Sequence, residues 1–446
     1  MDRILSWVVR GVIVLSGWMR PLSRLGLVRY DEWHPGAPLR ILLVGYNGAR
    51  NTGADARVVA LVRQIEDALG DRPHQLSVMT LSRENLAGYF SPQVQLVRVS
   101  SLFFFTLLRA ASTHHVAVLC EGSTLTRTFA DALTLFFCEA AGIMRRQGKP
   151  CIAYGSEVGQ IDGWLARVCS TTCRDTHFMV RTQPSLQHLQ QLGLRGHLGT
   201  DTAWPFTLSD GGAWARERLM ADGWDGVRPL LGVAVVNPFC WPVRPSLWRW
   251  ARALLTGDHR GQYDLMYFFA DGPSRRQQFQ HYISQVATAV NDWSRRTGAM
   301  VVLLGMEQLD AEACQLLAGR LEGPHALYTS RTHDVYQMTG LLRQLDWLVT
   351  SRYHAAVLSM PQAVPVVAVS MDGRLDGLMQ ETGLSADYLH HVDDVDLGAR
   401  ITRSLTLAQQ HREQVRATLR HHLVLYNDKV NIMSRFFIQW INQHIS

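Results

Sequence analysis

Proton transfer in this sequence would depend on three side chains that stand in or after turns at the ends of apolar runs. Asp55 ends a glycine-rich turn, Glu121 follows the run 116–120, and His354 comes shortly after the run 347–350. A carboxylate can act as a general base or accept a hydrogen bond from a hydroxyl group, and an imidazole can transfer a proton near neutral pH. Structural explanations stay open, because Asp55 could complement a helix dipole, Glu121 could cap a helix, and a single histidine is often a core residue.

Arg352 stands two residues before His354, where an apolar strand is followed by the start of a helix. Its guanidinium group could form two parallel hydrogen bonds with a phosphate or a carboxylate. An arginine and a histidine together in the first turn of a helix favour a functional role, since the N-terminus of a helix itself attracts anions.

The glycine-rich turn 45–55 contains Asn51 and Gly53 and is followed by a helical pattern. Backbone N–H groups of such a turn can approach an anion closely. The Gly-x-Gly-x-x-Gly spacing of dinucleotide-binding proteins is absent. The alternative is a turn that needs glycine only for its tight geometry.

Three further segments carry polar or glycine residues at apparent strand ends. They are Glu121-Gly122-Ser123, the stretch 154–159, and the stretch 199–203 with Asp201. Open α/β sheets bind ligands at the carboxyl ends of their strands. Asp201 could therefore line a cleft, or it could cap a turn.

Alternating apolar runs and helical patterns predict an α/β protein with two doubly wound, Rossmann-like domains that face a cleft. The predicted strands of the first series are 40–46, 75–79, 116–120 and 151–154, and those of the second are 230–236, 264–269, 300–304, 347–350 and 364–369. The predicted divisions are an N-terminal segment 1–38, a first domain 39–206, a crossover 207–229, a second domain 230–396 and a helical tail 397–446.

Composition places the chain of 446 residues among ordinary globular proteins, with 47% hydrophobic and 18% charged residues. The net charge is +6, but the basic residues are dispersed, so no nucleic-acid partner is expected, and an anionic small substrate or a membrane surface suits the charge better. Seven scattered cysteines indicate reduced thiols and a cytoplasmic protein. The paired histidines lack further ligands at suitable spacing, so no metal is expected.

The first thirty residues combine apolar side chains with Arg3, Arg10, Arg20 and Arg24. The uncharged run 11–19 is far shorter than the roughly 20 apolar residues of a transmembrane helix. Two alternatives remain open for this segment. It could be a basic helix at the interface of the anionic inner leaflet, or a helix packed on the protein's own surface.

Taken together, these segments resemble the polysaccharide pyruvyl transferase family over roughly residues 39–384. The resemblance rests on Asn51-Thr52-Gly53 with Asp55, on Glu121-Gly122-Ser123, on the stretches 181–185 and 199–203, on Arg352-Tyr353-His354, and on Pro365 with the stretch 370–374. Two departures indicate a divergent branch. Ala54 separates Gly53 from Asp55, and Glu-Gly-Ser stands where the family has a run of glycines.

The resemblance implies an architecture similar to the glycosyltransferase-B fold and transfer of a pyruvyl group from phosphoenolpyruvate to two hydroxyl groups of a sugar. The acceptor would be a polysaccharide or its lipid-linked oligosaccharide precursor, and no cofactor other than the donor substrate would be needed. Arg352 would bind the donor anions, His354 would bind phosphate or deliver a proton, and Asp55 and Glu121 would orient and deprotonate the acceptor hydroxyls. Further substrate-binding candidates are Asn51, Gly53, Gly122, Ser123, Arg181, Asp201 and, more weakly, Arg244.

Two other functions are compatible with the same residues. A glycosyltransferase of the same two-domain shape would use a nucleotide sugar, although the glutamate expected close after Arg352 does not occur before Glu381. A catalytically silent, membrane-associated scaffold in polysaccharide assembly is the third alternative. The acceptor sugar, the assignment of acid and base, and the oligomeric state are left open.

Overall fold

The chain begins with two helices, α1 (Asp2–Ser16) and α2 (Met19–Arg24), that lie on the surface of the first domain. The computed structural model describes residues 2–100, 103–209, 211–257, 262–264 and 267–445. Val9 and Val12 of α1 are buried against that domain. In these ranges, no helix combines the length and the apolar character needed to cross a bilayer.

The first domain contains a parallel sheet of seven strands. They are β1 (Leu39–Asn47), β2 (His74–Thr80), β3 (Gln95–Arg98), β4 (Val116–Leu119), β5 (Cys151–Ser156), β6 (His177–Val180) and β7 (Arg195–Leu198). Their order is β3-β2-β1-β4-β5-β6-β7, so the direction of winding reverses between β1 and β4. In register, Leu42 of β1 lies beside Ser77 and Ala117. The predicted strands match β1, β2, β4 and β5, whereas β3 and β7 are half-exposed edge strands without the apolar run.

Helices cover both faces of this sheet because β1 is apolar on both sides. Leu42 and Val44 face the core beneath α4 (Phe103–Thr113) and α5 (Asp131–Arg146), with α6 (Gly163–Thr172) and α7 (Gln183–Gln191) beside them. Ile41 and Leu43 face the other core, beneath α3 (Thr52–Leu69). That second core continues into the C-terminal half of the chain.

A helix, α8 (Gly211–Ala221), occupies nearly half of the predicted crossover, and its apolar residues form no regular stripe in the sequence. The remaining strands are β8 (Leu230–Ala234), β9 (Arg244–Pro245), β10 (Gln262–Asp264), β11 (Tyr267–Phe268), β12 (Met300–Gly305), β13 (His325–Thr329), β14 (Trp347–Thr350), β15 (Val366–Ser370) and β16 (Leu389–His391). Six of them form a second parallel sheet in the order β13-β12-β8-β14-β15-β16. Its winding reverses between β8 and β14.

The second sheet is also covered by helices on both faces. These are α10 (Pro273–Thr297), α11 (Ala311–Ala318), α12 (Val335–Leu342), α13 (Tyr353–Ser359), α14 (Gly373–Glu381) and α15 (Ser385–Tyr388). The preceding helix, α9 (Leu247–Thr256), is largely exposed and lies beside β11, where Arg249 stands over the ring of Phe268. The predicted fold class, two doubly wound α/β domains that face a cleft, is confirmed by the two sheets.

The prediction of 264–269 as a strand of the second parallel sheet is wrong. Within the described residues, β9, β10 and β11 form a separate antiparallel sheet, and residues 265 and 266 lie outside the description. In the second sheet, β8 pairs with β12 on one side and with β14 on the other. The strand that follows β8 in the chain therefore has no free edge of β8 to pair with.

The helical tail consists of α16 (Leu397–Gln410) and α17 (Arg412–His444), and α17 crosses back over the first domain. Tyr426 stacks on Trp204 with ring centroids 4.1 Å apart and an interplanar angle of 2°. Farther along, Phe437 meets Tyr154 edge to face. The last helix therefore joins the two domains and fixes how they lie on either side of the cleft.

Candidate active site in the interdomain cleft

A small pocket between the two sheets collects turns that follow parallel strands of both domains. It lies where both sheets reverse their winding, the position at which open α/β sheets bind ligands. Eight of the residues singled out from the sequence line it: Asn51, Gly53, Glu121, Gly122, Ser123, Arg181, Arg352 and His354. Its cavity volume is about 90 Å³.

The turn after β1 is bound to the second domain as well as to its own helix. The side chain of Asn51 accepts a hydrogen bond from the N–H of Ala54 and so caps α3. Its backbone forms a bridge with Glu307, and the N–H of Thr52 donates to the carbonyl of Met306 over 2.8 Å. These contacts hold the start of α3 against the turn that follows β12.

Gly53 lies directly against the ring of His354. A Cβ atom at position 53 would come within 2.2 Å of Nδ1 of the imidazole, closer than any real contact. Glycine at this position therefore allows the first turn of α3 and the first turn of α13 to meet in the cleft. The close approach places His354 beside the N-terminus of α3, where backbone N–H groups favour an anion.

Glu121 is held in place by backbone donors. Its carboxylate accepts hydrogen bonds from the N–H groups of Tyr46 (3.2 Å) and Gly122 (2.8 Å). A Cβ atom at Gly122 would lie 2.7 Å from Nη1 of Arg57 and 2.9 Å from Nη1 of Arg181. The absence of a side chain at 122 thus leaves room for two buried guanidinium groups beside the carboxylate.

Asp201 lies beneath the pocket, and its side chain is fully buried. Its carboxylate lies 2.7 Å from Nη1 of Arg181, 3.3 Å from Nε of Arg57 and 3.4 Å from Nε2 of His354. Burial opposes ionisation, but Arg57, His354 and Arg181 outweigh it and hold the pKa of Asp201 well below its usual range. Asp201 is therefore an anion that orients the imidazole.

Burial lowers the pKa of His354, and the neighbouring carboxylate of Asp201 only partly opposes this effect. The imidazole is consequently neutral near pH 7. A neutral imidazole can accept a proton from a hydroxyl group or donate a hydrogen bond through one ring nitrogen.

Arg352 lines the pocket, but two carboxylates already bind its guanidinium group. Asp310 accepts hydrogen bonds from both Nε and Nη2, and Glu307 lies 3.0 Å from Nη2. Binding of the donor anions by Arg352 stays a prediction, and its Nε and Nη2 are already paired with carboxylates in this structure. Burial raises the pKa of Asp310 to about 6, although Arg352 opposes the rise.

Asp55 does not line the pocket, contrary to its predicted place at the acceptor. Two residues along a helix turn the side chain by roughly 200°, so Asp55 faces away from the His354 side of α3 that Gly53 occupies. There it contacts the N–H of Gly48 and the hydroxyl of Tyr89, whose oxygen accepts from Val335 of the second domain. Burial raises the pKa of Asp55 to about 7.

Arg244 is also absent from the pocket. It belongs to β9, its side chain is exposed, and it lies near the carboxylate of Asp131. The short antiparallel sheet carries this residue outward, which a sequence pattern of two residues could not indicate.

Two arginines of the site were missed by the sequence analysis. Arg57 follows Gly53 by four residues, so both lie on the same face of α3. Arg374 stands in the first turn of α14, at the end of β15, and lines the pocket. Like Arg352, Arg374 stands where a strand is followed by the start of a helix. This shared position in the sequence could have identified Arg374 as a site residue.

A larger cavity of about 740 Å³ adjoins the pocket and shares Tyr46, Phe129, Leu133 and Trp241 with it. We call it the aromatic chamber. Phe103, Phe136 and Tyr267 add further rings to its wall, and Arg98 and Gln308 add polar groups. Phe129 and Trp241 stand edge to face, with centroids 5.1 Å apart. Among the described residues, no group of three or more metal-ligating side chains is assembled here or elsewhere.

A family model described as polysaccharide pyruvyl transferase matches residues 51–373. The chain belongs to this family. The match begins at Asn51, the pocket residue that caps α3, and ends beside Arg374. Search of the curated proteins gave no match to the chain.

Solved structures with the same architecture support the fold of this polysaccharide pyruvyl transferase family member. One is the Anabaena protein Alr3699/HepE in complex with UDP-glucose, at 12% identity over 91% of this chain and 100% of that chain, with a TM-score of 0.56. Another is UDP-GlcNAc 2-epimerase from Neisseria meningitidis bound to UDP-GlcNAc, at 9% identity over 90% and 100%, with a TM-score of 0.55. The predicted glycosyltransferase-B-like architecture is confirmed.

Proposed function

We propose that this protein transfers a pyruvyl group from phosphoenolpyruvate to two hydroxyl groups of a sugar in a polysaccharide or its lipid-linked precursor, and so forms a cyclic ketal. The observation that carries the proposal is the cleft pocket, in which His354 and Arg374 of the second domain meet Gly53 and Glu121 of the first. Membership of the polysaccharide pyruvyl transferase family supports the same class of reaction.

The size and charge of the pocket suit the donor. Phosphoenolpyruvate is small and carries a phosphate and a carboxylate, so it requires cationic groups and N–H donors in a confined space. Arg57, Arg181 and Arg352 are each bound by two carboxylates. Asp372 of the same turn accepts hydrogen bonds from Nε and Nη2 of Arg374, and it is the one carboxylate paired with this guanidinium group within the described ranges. Because Arg374 has one carboxylate partner where the other three have two, it is the arginine best placed to receive a donor anion.

The reaction makes defined demands on these residues. A proton is added to the methylene carbon of the donor, a sugar hydroxyl attacks the adjacent carbon, and the bond to phosphate breaks. The second hydroxyl then attacks the same carbon and closes the ketal. Of the two protons that the hydroxyls lose, one replaces the proton used to form the new methyl group and the other ends on the released phosphate. Groups that accept hydroxyl protons must therefore stand beside groups that stabilise phosphate.

His354 and Glu121 are the groups that can act on the hydroxyls of the acceptor. The imidazole of His354 is neutral and is oriented by Asp201, so it can take a proton from an acceptor hydroxyl. The carboxylate of Glu121 is fixed by two backbone N–H groups at the edge of the same pocket and can orient the second hydroxyl. Asp55 has no part in this arrangement, because it faces away from the pocket.

The aromatic chamber suits the acceptor. It is several times larger than the donor pocket, and the two spaces share Tyr46, Phe129 and Trp241. Sugar rings present C–H groups on one face, and these groups pack against the electron-rich face of an aromatic ring. A saccharide lying in the chamber would bring its hydroxyls to the shared wall.

We also propose a cytoplasmic location, which the seven free cysteines support.

Calorimetric titration with phosphoenolpyruvate tests the donor. The wild-type protein is expected to bind it, and Arg374→Gln is expected to bind about 10- to 100-fold more weakly, because a hydrogen bond to a charged group is lost. Arg228→Gln is the matched control, since Arg228 also pairs with an aspartate of its own turn, Asp225, but lies outside the cleft. Equal affinity of the two variants would remove Arg374 from the donor site.

The alternatives predict different outcomes of the same experiment. A nucleotide-sugar glycosyltransferase would bind uridine or guanosine diphosphate and not phosphoenolpyruvate. A silent scaffold would bind neither, and it would release no phosphate in the presence of saccharide acceptors. Acceptor-dependent release of inorganic phosphate, with one ketal-linked three-carbon unit found on the acceptor by mass spectrometry, is the expected result.

A further inference from the structure

The outward face of α1 is an apolar stripe without a partner in the described structure. Ile4, Trp7, Val8, Val14 and Leu15 are all exposed, and Trp7 retains 71% of its accessible surface. Their spacing of 3, 4, 10 and 11 residues from Ile4 places them on one face of the helix. Such a face on a surface helix costs free energy in water unless something covers it.

The opposite face of α1 is fixed to the protein. Val9 and Val12 are buried against α4 and α5, and Ile13 packs over Gly142, where a Cβ atom would come within 2.5 Å of it. The side-chain amide of Gln147 donates to the carbonyl of Ser16. Packing on the protein's own surface and contact with an external surface are therefore compatible, because they use opposite faces of one helix.

Positive charge surrounds the outward stripe. Arg3, Arg10, Arg20, Arg24 and Arg29 are exposed, and the sequence has no acidic residue from position 3 to 30. Arg20 is paired with Glu32, which leaves most of this charge free to act on an external partner. Tryptophan and arginine around an apolar stripe are typical of helices that lie in the headgroup region of a bilayer.

Further exposed apolar residues lie in the elements next to α1. Trp18 follows the helix, Leu25 and Leu27 follow α2, and Phe105 projects from α4, which packs against α1. We define these residues, the stripe on α1 and the five arginines as the N-terminal patch. Helices α4 and α5, on which α1 rests, also supply Phe103 and Phe136 to the aromatic chamber.

We propose that the N-terminal patch docks on the surface of an anionic lipid bilayer, with α1 parallel to the membrane plane. The occupant follows from chemistry, because an anionic headgroup layer over hydrocarbon complements both the arginines and the apolar stripe. Docking there turns the helices that wall the chamber toward the lipid, which suits an acceptor carried on a lipid. That last consequence rests on the proposed function, whereas docking itself does not.

Flotation with lipid vesicles tests the docking directly. The full-length protein is expected to bind vesicles that contain phosphatidylglycerol and to bind pure phosphatidylcholine vesicles weakly. Trp7→Gln with Leu15→Gln should reduce binding at least tenfold, because the apolar stripe loses its tryptophan and the leucine at its C-terminal end. Val227→Gln with Val395→Gln is the matched control, since both residues are 88% exposed and lie outside the patch.

A charge variant separates the electrostatic contribution. Arg3→Gln with Arg10→Gln and Arg24→Gln should lower binding to anionic vesicles by about fivefold per arginine. The same three changes at Arg276, Arg295 and Arg400, which are exposed in the second domain, should leave binding unchanged. Thermal unfolding of every variant should match the wild type, because the substituted side chains are exposed.

Three results would overturn docking on lipid. One is wild-type protein that stays with the soluble fraction at low salt. Another is equal vesicle binding by the Trp7 and Leu15 variant and its control. The third is a dimer that these substitutions dissolve while vesicle binding is unaffected, which would make the patch an interface between copies. Phosphoenolpyruvate titration of the same variants should equal the wild type, so a failed donor proposal and a failed docking proposal are told apart.

Discussion

His354 and Gly53 meet across the domain cleft at a distance that only glycine permits, since a Cβ atom at position 53 would overlap Nδ1 of the imidazole at 2.2 Å. Asp201 approaches the opposite nitrogen of the same ring at 3.4 Å. The imidazole is thus held between the first domain's helix α3 and a buried carboxylate, although it belongs to the second domain. The position of this one ring therefore depends on both domains.

Gly53→Ala should lower pyruvyl transfer by roughly 100-fold, because it displaces His354 by about an ångström or more. The same substitution should stabilise α3 itself, since alanine is favoured over glycine in a helix. Loss of activity would therefore not come from loss of the helix. The control is Gly212→Ala in α8, where an added Cβ meets ordinary contacts. Steady-state turnover of both variants decides the matter, and a Gly53→Ala enzyme of full activity would show that the ring can move without consequence.

His354→Gln should reduce turnover by about 100-fold or more if the imidazole transfers a proton. Wild-type activity should fall with acid only below the ordinary histidine pKa of roughly 6.5, because burial lowers the pKa of His354. His391→Gln offers a matched control, since His391 also stands 3.4 Å from an aspartate, Asp376, but is exposed. A pH–rate profile in which the acid limb is the same in His354→Gln as in the wild type would exclude this role.

Arg352→Gln should destabilise the protein by about 3–5 kcal/mol, because it leaves the buried carboxylates of Asp310 and Glu307 without their cation. Adding Asp310→Asn should recover part of that loss, since one unpaired charge is removed. Denaturant unfolding of the two variants measures the difference. If the single variant lost donor binding and kept full stability, the guanidinium group would serve the donor and not the carboxylates.

Asp55→Asn should flatten the dependence of stability on pH. Burial raises the pKa of Asp55 to about 7 in the folded state, above the ordinary aspartate value of 3.8, so the folded protein binds more protons than the unfolded chain between these values. Stability contributed by this residue is therefore lost as pH rises from about 4 to 7, by as much as about 4 kcal/mol. The free energy of unfolding is measured for both proteins at pH 4.5, 6 and 7.5. An equal change with pH in the wild type and in Asp55→Asn would contradict this account.

Much of the site was predictable because parallel strands direct their carboxyl ends to one edge. Glu121, Arg352 and His354 follow short apolar runs that predict β4 and β14, so their convergence follows from topology. The face of a helix is harder to read at its first turn, where Asp55 and Gly53 are close in sequence but point in different directions. Arg57 lies one turn farther on and is buried among residues more than sixty positions away.

Other parts of the structure left no pattern to read. The antiparallel sheet that carries Arg244 is made of strands of two and three residues, too short for an alternation to show. The partners of Arg352 were also hidden, because Glu307 and Asp310 follow β12 and are brought to β14 only by the order of the second sheet. Charge compensation at a buried site depends on contacts across the fold that spacing does not reveal.

The return of α17 across the first domain has a consequence for biosynthesis. The first domain is completed on the ribosome long before residues 412–444 emerge, and domains generally begin to fold in order of synthesis. Until the final helix arrives, the ring of Trp204 that stacks on Tyr426 and the ring of Tyr154 that meets Phe437 have no cover. The nascent first domain therefore keeps an uncovered apolar side until residues 412–444 have been synthesised.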